Sequence, residues 1–172
     1  MQDNFTDLIL DNQKVPGYTI DTQGNIYCKR LKRYLVKHKR SPPHNYEMVC
    51  LRINNMQVKR RVHVLLMHTF KGPKPFPELF VDHIDRDPTN NSLDNLRWVT
   101  RQINNMNRAS RGYETRGTSY RVHRLMPDFP RTVTYHTPEE AHDEYLRRHD
   151  IKFTRLLKEL DERIRASHYQ VQ

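Results

Sequence analysis

The sequence predicts an α+β chain built from small antiparallel sheets and short helices, and three observations carry that reading. Short runs that alternate apolar and polar residues meet at turn-forming pairs, Gln23-Gly24 and Asn54-Asn55. Threonines stand where helix caps are needed, Thr100 before RQINN and Thr137 before PEEA. A proline-rich stretch, KGPKPFPE at 71–78, interrupts regular structure between them.

The elements follow in order. Tyr18 to Ile20 and Asn25 to Tyr27 read as strands around Gln23-Gly24, and Met48 to Ile53 and Gln57 to Val62 read as strands around Asn54-Asn55, together a small antiparallel sheet. In VHVLLMHTF, Val62, Leu65, Leu66 and Thr69 fall at helical spacing, which predicts a short core helix. Leu79 to His83 and Leu96 to Val99 read as strands joined by an Asp- and Asn-rich loop, and a helix is expected from Arg101 to Arg108 behind the Thr100 cap. Further on, RGTSYRVHRL and PRTVTYHT alternate as strands do. Thr137 can accept from the amide of Glu140 while Glu140 reaches back, with Pro138 in the first turn, so TPEE opens a helix. A last segment, FTRLLKELDERI, places Phe153, Leu156, Leu157, Leu160 and Ile164 along one face.

Composition narrows the functional classes. Thirty Lys and Arg against twenty Asp and Glu leave a formal charge of +10 and a pI near 9.8, which points to a polyanionic partner, nucleic acid first. Lys29, Arg30, Lys32, Arg33, Lys37, Lys39, Arg40, Arg52, Lys59, Arg60 and Arg61 crowd the stretch between Cys28 and Val62, with Glu47 the single acid among them. No apolar run approaches the roughly 20 residues that cross a bilayer, and MQDNFTDLILDNQ lacks a secretion-signal pattern, so the expected location is the cytoplasm of the host cell, with no membrane partner. Cys28 and Cys50 form no CxxC pair, so neither a disulfide framework nor a structural zinc is expected.

The acids and amides gather in VDHIDRDPTNNSLDNLRWVT, residues 81 to 100. Phosphodiester hydrolysis needs positive charge at the phosphorus and leaving oxygen, and an acceptor for the proton of the attacking water. Asp82 offers a carboxylate, His83 an imidazole, and the following helix amide oxygens at Asn104, Asn105 and Asn107. In a strand, Asp82 and His83 point to opposite faces, so one can address a metal while the other addresses water.

The string Asp82, His83, Asp85, Asn90, Asn91, Asn95, Leu96, Arg97, Trp98, Val99, Thr100 and Asn104 resembles the ββα-metal finger of the HNH homing endonucleases of phage and intron type. The resemblance implies His83 as general base, Asp82 and Asn104 as ligands of a catalytic Mg2+ or Mn2+, and Asn95 as the brace that orders the loop and orients His83. Two CxxC pairs that staple some members are missing, so the finger is expected to hold by packing of Leu93, Leu96, Trp98 and Ile103, with Val62 to Phe70 against it. His63 and His68 are expected to pack or hydrogen bond and not to ligate.

The flanks carry further likenesses. GYTIDTQGNIY, through Gly17, Tyr18, Ile20, Asp21, Gly24, Ile26 and Tyr27, resembles the N-terminal NUMOD4-like module of such enzymes. Tyr120, Arg121, Val122, Thr137, Glu139, Glu140, Ala141 and Tyr145 resemble an AP2-like DNA-binding domain of three strands and a helix, with LMPDFP in place of its usual glycine-containing turn. Three segments are therefore expected: a basic sheet module at 1–61, the finger with its preceding helix at 62–109, and an AP2-like domain with the C-terminal helix at 110–172. The implied function is site-specific, metal-dependent cleavage of double-stranded DNA, as a nick or a double-strand cut. Lys29, Arg30, Lys32, Arg33, Lys37, Lys39, Arg40, Arg60, Arg61, Arg97, Arg116, Arg121, Arg124 and Arg131 are the expected DNA contacts. The alternative is a sequence-specific DNA-binding protein that keeps the finger as a scaffold.

Overall fold

Alternation in TDLIL buries Leu8 and Leu10, and in the second half of QKVPGYTI it buries Tyr18 and Ile20, whereas Val15 is buried in the opposite phase, which shifts at Pro16-Gly17, where Gly17 stands at φ +82°. The computed structural model, which describes residues 5–39 and 45–169, pairs these segments as β1 (Thr6–Leu10) and β2 (Gln13–Ile20) and continues the antiparallel sheet with β3 (Ile26–Cys28) and β4 (Arg33–Tyr34). Two compact units result, residues 1–99 and 100–172.

In the first unit, a second antiparallel sheet orders β5 (His38–Lys39), β6 (Glu47–Ile53) and β7 (Met56–Arg61). The basic N-terminal region is thus two sheets where one was expected, and β1 is an added strand. Asn54 and Asn55, at φ of 48° and 64°, make the left-handed turn between β6 and β7 that the sequence predicts. The chain then enters α1 (Val62–Leu66), which widens into a π turn at Met67–Lys71. Val62, Leu65, Leu66 and Met67 from this stretch, with Leu8, Ile20, Ile26, Cys28, Val49, Leu51 and Leu96, form one apolar core, and Leu93 and Trp98 pack on it as expected. Gly24 sits at φ +73°, and a Cβ there would meet Val62 Cγ1 at 2.5 Å, so the close approach of the β2–β3 turn to α1 requires glycine. The Tyr18 hydroxyl accepts from the Arg52 amide at 2.9 Å, linking the two sheets. The unit closes with a hairpin of β8 (Phe80–His83) and β9 (Leu96–Val99).

The second unit begins at α2 (Arg101–Met106), where the Thr100 hydroxyl accepts from the Ile103 amide at 3.3 Å, the expected cap. An antiparallel sheet of β10 (Glu114–Arg116), β11 (Ser119–His123) and β12 (Thr132–Tyr135) follows. Thr137 receives the Glu140 amide at 3.2 Å, as the TPEE pattern predicts, and starts α3 (Pro138–Tyr169). The two helical segments read from sequence are one helix of 32 residues, because nothing between Arg147 and Phe153 breaks it. Arg148, 1% exposed, is held on α3 by Glu144 at 2.6 Å and lies over the Phe129 ring.

The architecture is therefore α+β, with small antiparallel sheets and a C-terminal helix, as predicted. Cys28 is buried and Cys50 half-buried, both as free thiols. Among the described residues no helix is long and apolar enough to cross a membrane.

Candidate active site

The β8–β9 hairpin sets the two candidate residues. Pairing places Asp82 opposite Arg97 and His83 opposite Leu96, so the two side chains leave opposite faces of the ribbon. Asp82 is 5% exposed, and its Oδ2 accepts from Arg97 Nε at 3.0 Å and Nη2 at 2.9 Å. His83 is 6% exposed and faces the side that carries Val81, Leu96 and Trp98 into the core. Its ring meets the edge of His63 at 4.8 Å between centroids and lies 6.0 Å from the Tyr46 ring, over which the Arg61 guanidinium stands at 4.8 Å.

The loop between the strands is fastened by its own polar side chains. Asn95 Oδ1 accepts from the Asp85 amide at 3.0 Å, while Asn95 Nδ2 donates to Asp85 Oδ1 at 2.9 Å and to the Asn90 carbonyl at 2.8 Å. Asp85 also receives Asn90 Nδ2 at 2.7 Å and the Asp87 amide at 2.8 Å. Burial opposes its ionisation, but these donors outweigh it and hold the Asp85 carboxyl below the usual carboxylate range. Asp87 is likewise lowered, first by the Thr89 amide and then by its hydroxyl. Much of the acid and amide content of this stretch is therefore spent on loop closure.

Within this loop, Asn91 reaches His83. Its Oδ1 lies 3.1 Å from His83 Nε2, and its Nδ2 donates to Glu47 Oε2 at 3.0 Å, a residue 44 positions earlier on β6. Lys37 lies 3.6 Å from the same carboxylate and donates to the Gln23 carbonyl at 3.1 Å. Sequence reasoning passed over Glu47, although it is the lone acid in a basic run, and passed over Tyr46.

His63 and His68 behave as expected for packing residues. Burial first, and then electrostatic coupling to His83 and to the Arg61 guanidinium, pushes His63 down to about 3. His68 Nδ1 accepts from the Asp11 amide at 3.3 Å, and its ring abuts Trp98.

The expected DNA-contact cations fall into distinct settings. In the first unit Lys29, Arg30, Lys32 and Arg33 are exposed around the β3–β4 turn, and Lys39 is exposed on β5. Arg61 shares a face of β7 with Lys59, whereas Arg60 turns to the other face and donates to the Lys59 carbonyl at 3.1 Å. Arg97, expected at DNA, is held by Asp82 in this structure. In the second unit Arg116, Arg124 and Arg131 are exposed, and Arg121 is half-buried with an Nε that has no hydrogen-bond partner among the described residues. Arg40 lies outside the described residues. Asn104 is half-buried on α2 of the second unit.

No group of three or more His, Cys, Asp or Glu is gathered for a metal among the described residues. The donor chemistry at Asp82, a hard carboxylate oxygen, fits the kind of divalent ion that keeps several waters and takes substrate phosphate oxygens. Arg97 already neutralises Asp82, so an ion arriving there shares the carboxylate or displaces the guanidinium.

A strand ending in Asp-His, a fastened Asn-rich loop, a second strand and a helix together define a ββα segment, and residues 60–106 match the family model described as HNH endonuclease. The curated relatives are of the same kind. The H-N-H endonucleases F-TflI and F-TflII of Escherichia phage T5 are 35% and 37% identical to this chain over 50% and 54% of its length. An HNH endonuclease of Acanthamoeba polyphaga mimivirus is 32% identical over 51% of the chain. The chain spans half or less of these relatives, 44%, 50% and 26% of their respective lengths. Among solved structures, the HNH homing endonuclease I-HmuI, from work on its DNA binding and cleavage, shares the fold at a TM-score of 0.53, with 24% identity and 82% of both chains covered.

Proposed function

We propose that this chain is a divalent-metal-dependent endonuclease that hydrolyses a phosphodiester bond of double-stranded DNA. The observation that carries the reading is the split geometry at the end of β8, a buried carboxylate on one face and a held imidazole on the other, within the segment matching the HNH endonucleases. His83 takes the proton of the attacking water as general base. Asp82, together with Asn104 by its place in the matched sequence, would hold Mg2+ or Mn2+. When bound, such an ion supplies positive charge for the pentavalent phosphorus and the leaving 3' oxygen. Asn95 orders the loop, and Asn91 contacts the base itself.

The proposed division of labour follows the three expected segments. Residues 1–61 and 110–172, the former NUMOD4-like and the latter AP2-like, grip DNA through their exposed cations, and 62–109 cut. Phosphate contacts position the protein, and a two-stranded ribbon of the basic sheets has the width a major groove admits.

A second reading, DNA binding without turnover, draws on Arg97, whose guanidinium already satisfies the proposed metal ligand. Supercoiled plasmid incubated with the purified chain and Mg2+ or Mn2+ separates the two. Cleavage that a chelator abolishes supports the nuclease; retardation of the plasmid without any nick or linear product refutes it.

A further inference from the structure

We propose that Glu47, acting through Asn91, is a positioning residue that fixes the orientation and tautomer of His83. The inference rests on His83 being the base. A carboxylate offers acceptors and no donors, so the contact with Glu47 Oε2 at 3.0 Å must be made by the Asn91 NH2 group. The amide is thereby oriented, and its carbonyl oxygen is the atom turned toward His83 at 3.1 Å. An amide oxygen accepts, so the facing ring nitrogen must carry the proton. His83 is held with hydrogen on Nε2, and the lone pair that can take a proton from water is on Nδ1.

The same contacts fix the plane of the ring. The His63 edge, at 4.8 Å between centroids, packs against one side, and Tyr46 closes near it at 6.0 Å. Glu47 belongs to β6 on the sheet that also bears Lys39, Lys59 and Arg61, so an acid within the basic region acts on the base and not on DNA. Its own placement is supported by Lys37 at 3.6 Å. Partners of this kind, which touch no substrate and orient a group that does, are typically worth about 10–100-fold in activity where they orient metal-bound histidines.

The test uses the full chain labelled with 15N-histidine, with the His83 ring signals identified by their loss in His83→Gln. Long-range proton–nitrogen spectra are expected to place the His83 proton on Nε2. Glu47→Ala and Asn91→Ala are expected to give a mixture of tautomers, while Glu47→Gln, whose carbonyl still accepts from Asn91, restores the Nε2 form. In plasmid cleavage the two alanine variants should lose roughly 10–100-fold in kcat with little change in KM for DNA. A wild-type proton on Nδ1, or a tautomer unmoved by both alanine changes, overturns the proposal, and the first of these outcomes requires no variant to fold. Because the tautomer is read without turnover, a chain that holds the Nε2 form yet cuts no DNA would refute the nuclease reading and leave the positioning intact.

Discussion

Removing the buried imidazole of His63 should change how the fold responds to acid. His63 is 2% exposed, packed between Tyr46 and His83, and its Nδ1 has no hydrogen-bond partner among the described residues. Burial pushes it from the ordinary 6.5 down to about 3, with His83 and Arg61 adding to the shift. The unfolded chain accepts a proton near 6.5 while the folded chain resists it until about 3, so this contribution is complete above 6.5 and declines as pH falls through that window. At pH 4, about 2.5 units into the window and at about 1.4 kcal/mol per unit, the wild type should have lost on the order of 3 kcal/mol through this one group. His63→Phe removes the proton site while keeping a ring. Denaturant unfolding of both proteins at about pH 7 and pH 4 isolates the term, because titrations of groups distant from His63 cancel in the difference. The wild-type advantage over His63→Phe should shrink by roughly 3 kcal/mol between the two conditions. A difference that stays constant within about 1 kcal/mol would refute the claim that His63 is held neutral by burial.

Three other changes test separate parts of the structure. Glu144→Ala leaves the buried Arg148 without a carboxylate, with only the Pro130 carbonyl and the Phe129 ring beside it, and should cost about 3–5 kcal/mol in denaturant unfolding, more than any exposed carboxylate on α3. In the wild type, hydrogen bonds from Arg147 and then Arg148 hold Glu144 at about 2, so the stability it confers is present above the ordinary 4.5 and lost as pH falls toward about 2. Arg97→Ala leaves the Asp82 carboxylate without its guanidinium; thermal melts should show a lower midpoint and a larger upward shift on adding Mg2+ or Mn2+ than in the wild type, since the ion then replaces the missing charge. Asn95→Ala removes bonds to Asp85 and Asn90 and should cost roughly 1–3 kcal/mol, with limited proteolysis cutting first between residues 84 and 95.

Local signals were legible where chemistry is local. The Asn54-Asn55 turn and the Thr100 and Thr137 caps depend on residues within three positions of one another, and each stands where the pattern puts it. The expected packing of Leu93, Leu96 and Trp98 with the helix at Val62 is found, whereas Ile103, expected in the same core, is buried on α2 and is not among its residues. What was hidden depends on contacts across the chain. Glu47 and Asn91 are 44 residues apart, and neither the composition nor the spacing of either suggests the other. Arg97 had a usable signal: with the first strand ending at His83 and the second beginning at Leu96, an antiparallel hairpin puts position 82 opposite position 97, and an Asp-Arg pair at that register announces an ion pair. The count of basic residues drew it instead to the DNA surface. Asp85 and Asp87 act on the loop, because Asx turns give their carboxylates backbone donors two residues on.

The measurement closest to the central claim compares cleavage and binding in His83→Ala. Plasmid cutting and duplex binding would be followed on the same preparation, with binding repeated over a range of salt to confirm the phosphate contacts expected of the basic sheets, each adding about 0.9 to the magnitude of the log-log slope. The account predicts binding and its salt dependence close to wild type, with cutting reduced by about 100-fold or more. Cutting at the wild-type rate by His83→Ala would contradict it.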